Sequence, residues 1–348
     1  MYFHIFNILL LFQISQFVIA DGDCGCGVGR EHGGDKSVLS SMIDEESCSL
    51  AKEDVDKENE DQKTEEKETS VTKPGLERMI LVPAGEYQLG TDDVLIEADN
   101  EGPMRFVQLE SFYLDKYEVS NKDFSEFVEA TGYKSDAETF GDSFVFTLFL
   151  NGTFKEQLRD FRVAAVPWWY KVDGASWKNP DGPDSDIEDK MDYPASHMSW
   201  NDAKAYCTWR DARLPTEAEW EAACRGGRRG TTYPWGDKLL PDRKHMSNIF
   251  QGSFPSYNSA KDGYIGTCPV DEFPPNDLGF HNLIGNVWEW TEDKWDDEVP
   301  TKRVKKGGSY LCHSTYCLRY RCSARYQNTE DSSAGNLGFR CAKSTEQQ

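Results

Sequence analysis

The sequence predicts an α+β fold of short elements joined by much irregular chain, and three observations carry that prediction. Three segments pair a helix-capping residue with an acidic residue three positions on, followed by apolar residues at helical spacing. Elsewhere Gly and Pro recur too closely for long strands or helices, as in Pro167-Trp168-Trp169, Asn179-Pro180-Asp181-Gly182-Pro183, Tyr233-Pro234-Trp235-Gly236 and Phe273-Pro274-Pro275-Asn276. From about Met79 to Ala342 the composition is aromatic-rich, in a chain holding ten Trp, fifteen Tyr and nineteen Phe, and is long enough for one large domain with a sizeable core. No internal repeat of fixed period is present.

In chain order, Met1–Ala20 has an apolar centre at Ile8, Leu9, Leu10, Leu11 and Phe12 and closes on Val18-Ile19-Ala20, the pattern of a secretory signal peptide. The apolar run is shorter than the ~20 residues a spanning helix needs, and no later segment reads as a membrane span. Residues 21–75 read as a disordered acidic extension: much of the formal charge of −23 lies between Asp44 and Glu68, where apolar residues almost vanish and no core can form. That acidity argues against a nucleic-acid surface. The folded domain is expected over residues 76–343, with 344–348 as a tail.

Within the domain, Ser120 with Asp123 predicts a first helix, with Phe124, Phe127 and Val128 on one face and Gly132 to end it. Ser199 with Asp202 starts a second, which places Ala203 and Cys207 on one side. Thr216 with Glu219, after Pro215, starts a third that carries Trp220, Ala223 and Cys224 on one face and closes at Gly226-Gly227. The last two helices therefore each deliver a cysteine to an apolar face, which favours structural roles for Cys207 and Cys224.

An exported chain matures in an oxidising compartment, where ten cysteines favour disulfides, although an even count leaves the pairing open. Asn151-Gly152-Thr153 is the single sequon with an allowed middle residue, making Asn151 the glycosylation candidate. The stretch Cys312-His313-Ser314-Thr315-Tyr316-Cys317 stands apart, because two close thiols can be a disulfide, a redox couple or a metal grip. Zinc would need two further ligands in tetrahedral array. A thioredoxin-like oxidoreductase would need a Cys-x-x-Cys motif, which is absent.

Several motifs together resemble the sulfatase-modifying-factor family. They are Met79 to Gly85 through Gly90-Thr91, Asp115-Lys116-Tyr117-Glu118-Val119-Ser120, Pro194 to Trp200, Arg213 to Trp220, Gly285-Asn286-Val287-Trp288-Glu289-Trp290 and Gly338-Phe339-Arg340-Cys341. They span nearly the whole core in order. Gly307-Gly308-Ser309-Tyr310-Leu311-Cys312-His313 with Tyr316-Cys317 and Arg319-Tyr320-Arg321-Cys322 narrows the resemblance to the formylglycine-generating branch, and Phe140 to Phe146 and Gln327-Asn328-Thr329 strengthen it. The non-catalytic secretory relative lacks the cysteine pair.

The resemblance implies a single fold related to C-type lectins, stabilised by disulfides and calcium. It implies an enzyme of the endoplasmic-reticulum lumen that oxidises a cysteine of nascent sulfatases, in a Cys-x-Pro-x-Arg context, to Cα-formylglycine with dioxygen and a thiol reductant. Carried over by position, Cys312 and Cys317 become copper(I) ligands, in keeping with the preference of soft thiolates for that ion. Trp288 and Ser309 would border the oxygen and substrate cavity, and Arg325 and Asn336 the peptide-binding surface. Asn248, Ile249, Asp262 and Tyr264 match one calcium site, and Asn282, Gly285, Val287 and Glu289 a second; neither is an EF-hand loop. The implied disulfides are Cys207–Cys341 and Cys224–Cys322, which makes Cys322 a scaffold residue close behind the catalytic pair. Cys24 and Cys26 would exchange with a thiol oxidoreductase that retains the enzyme, while Cys48 and Cys268 receive no role. The competing reading is a non-catalytic, calcium-stabilised binding or regulatory module of the same fold, which would not need Cys312 and Cys317 as thiols.

Overall fold

The computed structural model describes residues 75–345. The expected signal peptide and acidic extension, with Cys24, Cys26 and Cys48, lie outside the described residues. No described helix is long and apolar enough to cross a membrane.

The helices are α1 (Asn121–Thr131), α2 (Asp136–Phe140), α3 (Gly152–Gln157), α4 (Trp200–Trp209) and α5 (Glu217–Arg225). The strands are β1 (Met79–Val82), β2 (Gly85–Leu89), β3 (Arg105–Leu109), β4 (Phe112–Asp115), β5 (Asp142–Phe146), β6 (Trp169–Asp173), β7 (Gly252–Ser253), β8 (Tyr257–Asn258), β9 (Trp288–Lys294), β10 (Lys302–Lys306), β11 (Arg325–Thr329), β12 (Leu337–Gly338) and β13 (Ala342–Ser344). No described element exceeds the 11 residues of α1, so the expected α+β architecture of short elements holds.

Each expected helix begins at its expected cap. Ser120, Ser199 and Thr216 all form reciprocal capping boxes with Asp123, Asp202 and Glu219, and Gly132 and Gly226 close α1 and α5 with φ of 68° and 59°. Helices α1 and α4 pack through aromatic rings, Phe124 and Phe127 lying 6.0 and 5.6 Å from Tyr206. Cys207 on α4 is bonded to Cys341, and Cys224 on α5 to Cys322, the pairs implied by the family resemblance.

The sheets are small. One runs β1-β4-β13 and the other large one β11-β10-β9-β12, with hairpin-like pairs β2-β3, β5-β6 and β7-β8. Ser344 pairs with Phe112, and the Thr345 hydroxyl donates to the Ser111 carbonyl at 2.9 Å. The folded chain therefore runs past residue 343, the expected boundary. Strand β9 is central, and Trp288, Glu289, Trp290 and Thr291 are all buried, so it lacks the alternation of a half-exposed strand.

Irregular chain is held by buried ion pairs as well as by the core. Asp99 binds Arg319 through two contacts of 2.6 and 2.7 Å, and Glu101 binds Arg321 at 2.7 and 2.9 Å. These two pairs pin the segment that follows the cysteine hexapeptide to the loop before β3. Arg340 likewise grips Glu289 with two bonds of 2.7 Å, joining the chain ahead of β13 to the middle of the β9 sheet.

Candidate active site

Cys312 and Cys317 are each 1% exposed and stand outside both disulfides. Their loop is built by close turns: the Cys312 N–H donates to the Ser309 carbonyl at 2.9 Å, and the Cys317 N–H to the His313 carbonyl at 2.7 Å. Ahead of it, Gly307 and Gly308 take φ of 89° and 72°. A Cβ on Gly308 would come within 3.1 Å of Cys312 Sγ and of the Tyr320 backbone, so glycine is required both by conformation and by space. Both thiols act on the Tyr320 phenol, which burial, then Tyr233, then Cys312 and Cys317 push well above its ordinary pKa. Asp99 is also raised, chiefly by burial against the pull of Arg319, with Glu101 and Cys317 adding to the rise.

Ser309 is fully buried, and its hydroxyl accepts from Asn336 Nδ2 at 3.1 Å while its own N–H reaches Cys312 Sγ at 3.4 Å. The Trp288 N–H donates to the Asn336 carbonyl at 2.9 Å, and the Trp288 ring lies 4.9 Å from Lys305 Nζ. Ser309, Asn336, Trp288 and Cys312 are therefore connected. Asn336 is 0% exposed and supports Ser309 from within the fold. Arg325 is directed elsewhere, to Glu217 at 2.9 Å and over the Trp295 ring at 4.5 Å.

An aromatic wall not singled out in the sequence adjoins the cysteine loop. Tyr316 stacks on Phe254 at 4.0 Å and meets Trp168 edge-on at 4.8 Å, while Phe250 donates its N–H to the Cys312 carbonyl. The Trp168 indole N–H is buried without a hydrogen-bond partner. A cavity of about 220 Å³ is lined by Tyr310 and Gly335, the neighbours of Ser309 and Asn336, together with Phe146, Phe149, Asp181 and Lys190.

The donor sets can be weighed against the implied metals. Among the described residues no group of three or more His, Cys, Asp or Glu side chains converges as a ligand cluster. Two buried thiols close in sequence fit a soft, low-coordinate ion such as copper(I). At the first calcium set, Asn248 Oδ1 is buried without a hydrogen-bond partner, and Asp262 accepts from the Ile249 and Tyr264 N–H groups at 3.1 and 3.2 Å. At the second, Asn282 Oδ1 is likewise buried and unpartnered. Orphaned oxygens in a native interior call for an explanation, and a hard cation that binds oxygen is a fitting one.

Two contacts mark the surroundings of the second set. Both Glu289 oxygens are already held, by Arg340 and by the Trp220 indole N–H at 2.7 Å, so this carboxylate is neutralised without a metal. The carboxylate that faces Asn282 is Glu118, fully buried, with Asn282 Nδ2 at 3.3 Å and Asn286 Nδ2 at 2.9 Å. Burial first, and then the like charge of Glu289, raise Glu118 to about 8 despite Arg340. It lies inside the motif Asp115 to Ser120, the one signal in the sequence that could have pointed to it. Asn151 is exposed and caps α3, its Oδ1 accepting from the Phe154 N–H at 2.8 Å.

The family model for the sulfatase-modifying factor enzyme 1-like domain matches residues 63–345. The chain is 54% identical over 288 residues to a formylglycine-generating enzyme of Mus musculus, covering 79% of this chain and 77% of that one. It is also 45% identical over 267 residues to an inactive C-alpha-formylglycine-generating enzyme 2 of Bos taurus, covering 76% and 87% of the two chains. In fold it resembles PvdO from Pseudomonas aeruginosa, with a TM-score of 0.54 at 23% identity over 77% of this chain and 94% of that one. With a family match over most of its length and motifs in the family's order, the chain belongs to the sulfatase-modifying factor family and sits among its formylglycine-generating enzymes.

Proposed function

We propose that this chain oxidises a cysteine of a sulfatase polypeptide, in a Cys-x-Pro-x-Arg context, to Cα-formylglycine. The observation that carries the proposal is the pair Cys312 and Cys317, two buried cysteines held on one tight loop with the Ser309 N–H against Cys312 Sγ. Relatives named for this activity support it. Dioxygen accepts four electrons in the reaction, two from the substrate Cβ–S unit and two from a thiol reductant, releasing hydrogen sulfide and water. Copper(I) bound at Cys312 and Cys317 would supply a soft centre at which a thiolate and oxygen can react.

The chain's own contribution is placement. Ser309, fixed by Asn336, has its N–H against Cys312 Sγ, and the fully buried Trp288, bonded through its backbone N–H to the Asn336 carbonyl, would help to keep stray water out. The aromatic wall of Trp168, Phe254 and Tyr316 offers an apolar face for an extended peptide. Calcium at the set of Asn248, Ile249, Asp262 and Tyr264 and at the set of Asn282, Gly285, Val287 and Glu289, with Glu118 beside Asn282, would hold the loops behind the cysteine loop. Residence in the endoplasmic-reticulum lumen and exchange with a thiol oxidoreductase through Cys24 and Cys26 complete the proposal.

The reading as a non-catalytic module draws on the similarity to an inactive relative. One assay separates the two. Reduced full-length protein, loaded with copper(I) and given oxygen and a Cys-x-Pro-x-Arg peptide, should produce a peptide aldehyde detectable by mass spectrometry. No aldehyde from the unaltered chain, or equal yield from Cys312→Ser, would overturn the enzymatic reading.

A further inference from the structure

Asn286 is fully buried with a left-handed φ of 55°, a conformation that Asn tolerates better than most residues. Its side chain engages both ends of the amide. Oδ1 accepts from Asn248 Nδ2 at 3.3 Å and from the Cys268 N–H at 2.9 Å, and Nδ2 donates to Glu118 Oε1 at 2.9 Å and to the Cys268 carbonyl at 3.3 Å. Asn248 belongs to the first candidate calcium set, and Glu118 faces Asn282 of the second. One amide thus bridges the two.

The Asn286 backbone extends the same bridge to the cysteine loop. Its N–H donates to the Asn248 carbonyl at 2.9 Å, and its carbonyl accepts from the Tyr310 N–H at 2.8 Å. The neighbouring Gly285 N–H donates to the Gly307 carbonyl at 3.0 Å, and a Cβ at Gly285 would meet the Asn248 carbonyl at 2.2 Å. From the other side, Phe250, two residues after Asn248, donates its N–H to the Cys312 carbonyl at 3.0 Å. Each calcium set is therefore a few hydrogen bonds from the chain that presents Cys312.

We infer that Asn286 is a positioning residue that couples the two calcium sites to each other and to the hairpin bearing Cys312 and Cys317. This rests on the calcium reading of both sets. Filling one set orients Asn286, and through it the carboxylate or amide of the other, so the two ions bind with positive coupling. Filling both holds Tyr310 and Phe250 in place, and with them the Cys312 loop. Sites joined by a shared two-ended group have reciprocal coupling, commonly about 5–150-fold in affinity.

The test is a double-mutant cycle on full-length, copper-free protein, with calcium binding followed by calorimetry and circular dichroism used to verify folding. Asn248→Ala should abolish one site and weaken the other by about 10-fold, within the range expected for such coupling. On an Asn286→Ser background the same Asn248→Ala change should alter the remaining site by less than about 2-fold. In parallel, calcium should slow alkylation of Cys312 and Cys317, mapped by peptide mass spectrometry, in the unaltered chain but not in Asn286→Ser. Equal coupling with and without Asn286 would overturn the inference. Should Asn286→Ser fail to fold, an Asn248→Ala protein whose remaining site keeps its full affinity would overturn it as well. If the unaltered chain binds no calcium, the calcium reading itself falls with the inference, while the aldehyde assay still judges the cysteine chemistry independently.

Discussion

The imidazole of His197 is fully buried between Ser143 Oγ at 2.8 Å and the Pro180 carbonyl at 2.9 Å. A carbonyl can only accept, so Nε2 carries the proton and Nδ1 accepts from Ser143, which in turn accepts from Ser333 at 2.8 Å. Burial lowers its pKa from 6.5 to about 4, against the Pro180 carbonyl, so the ring is neutral in the folded protein. A depressed folded pKa means the unfolded chain takes up the proton first. The stabilising contribution is therefore complete above about pH 6.5 and is lost as pH falls towards 4, by about 2–3 kcal/mol at pH 4.5. His197→Gln should be less stable at pH 7 but should lose about 2 kcal/mol less than the unaltered chain between pH 7 and 4.5, read from urea midpoints. Parallel pH profiles for the two proteins would refute the assignment. His197 lies inside the motif Pro194 to Trp200, but nothing local marks it as buried, because its surroundings are built by residues 143, 180 and 333, distant in the chain.

At the scale of elements, capping governs what could be read. In helix α5 the Thr216 hydroxyl accepts from the Glu219 N–H at 3.1 Å and the Glu219 carboxylate accepts from the Thr216 N–H at 2.8 Å. Thr216→Ala should cost about 1 kcal/mol in a urea titration. Gly226→Ala should cost more, since its φ is 59° and a Cβ would stand 3.2 Å from the Asn276 amide, and equal or smaller loss than Thr216→Ala would contradict this account. Helices α1, α4 and α5 were legible because cap, apolar spacing and terminator are all local. Helix α2 has the same reciprocal box, Ser135 with Glu138, but only 5 residues, too few for a periodic pattern. Helix α3, with 6 residues, is nearly as brief, and its cap, Asn151, reads first as a glycosylation sequon. The strands were not legible. β1 pairs with β4, and β4 with β13 from the far end of the domain, and β9 is buried through four successive residues, so neither neighbours nor alternation mark them.

For the molecule as a whole, long-range links do the work that long elements do elsewhere. The two disulfides span 134 and 98 residues, and cross-links of that length stabilise through the unfolded chain by nearly equal amounts, about 5 kcal/mol each on chain entropy alone and commonly about 2–5 kcal/mol in practice. Their local consequences differ. Cys207–Cys341 joins α4 to the chain beside Arg340, whereas Cys224–Cys322 fixes the residue next to Arg321, in the run whose arginines bind Asp99 and Glu101 and which follows directly on Cys317. Sequence alone places Cys207 and Cys224 on apolar faces, whereas their partners are implied only by the family resemblance, and nothing local to Arg319 and Arg321 marks their acidic clamps, which lie some 220 residues away. Replacing either bonded pair with alanines should lower the guanidinium midpoint to a similar degree. Only Cys224→Ala with Cys322→Ala should also speed alkylation of Cys317, because that thiol is 1% exposed and its protection depends on the local stability of the chain just after it. Peptide mapping after brief alkylation in native buffer reads this directly. If the Cys207–Cys341 double variant exposes Cys317 equally, the protection comes from global stability, and the disulfide beside the cysteine loop has no special part in holding it.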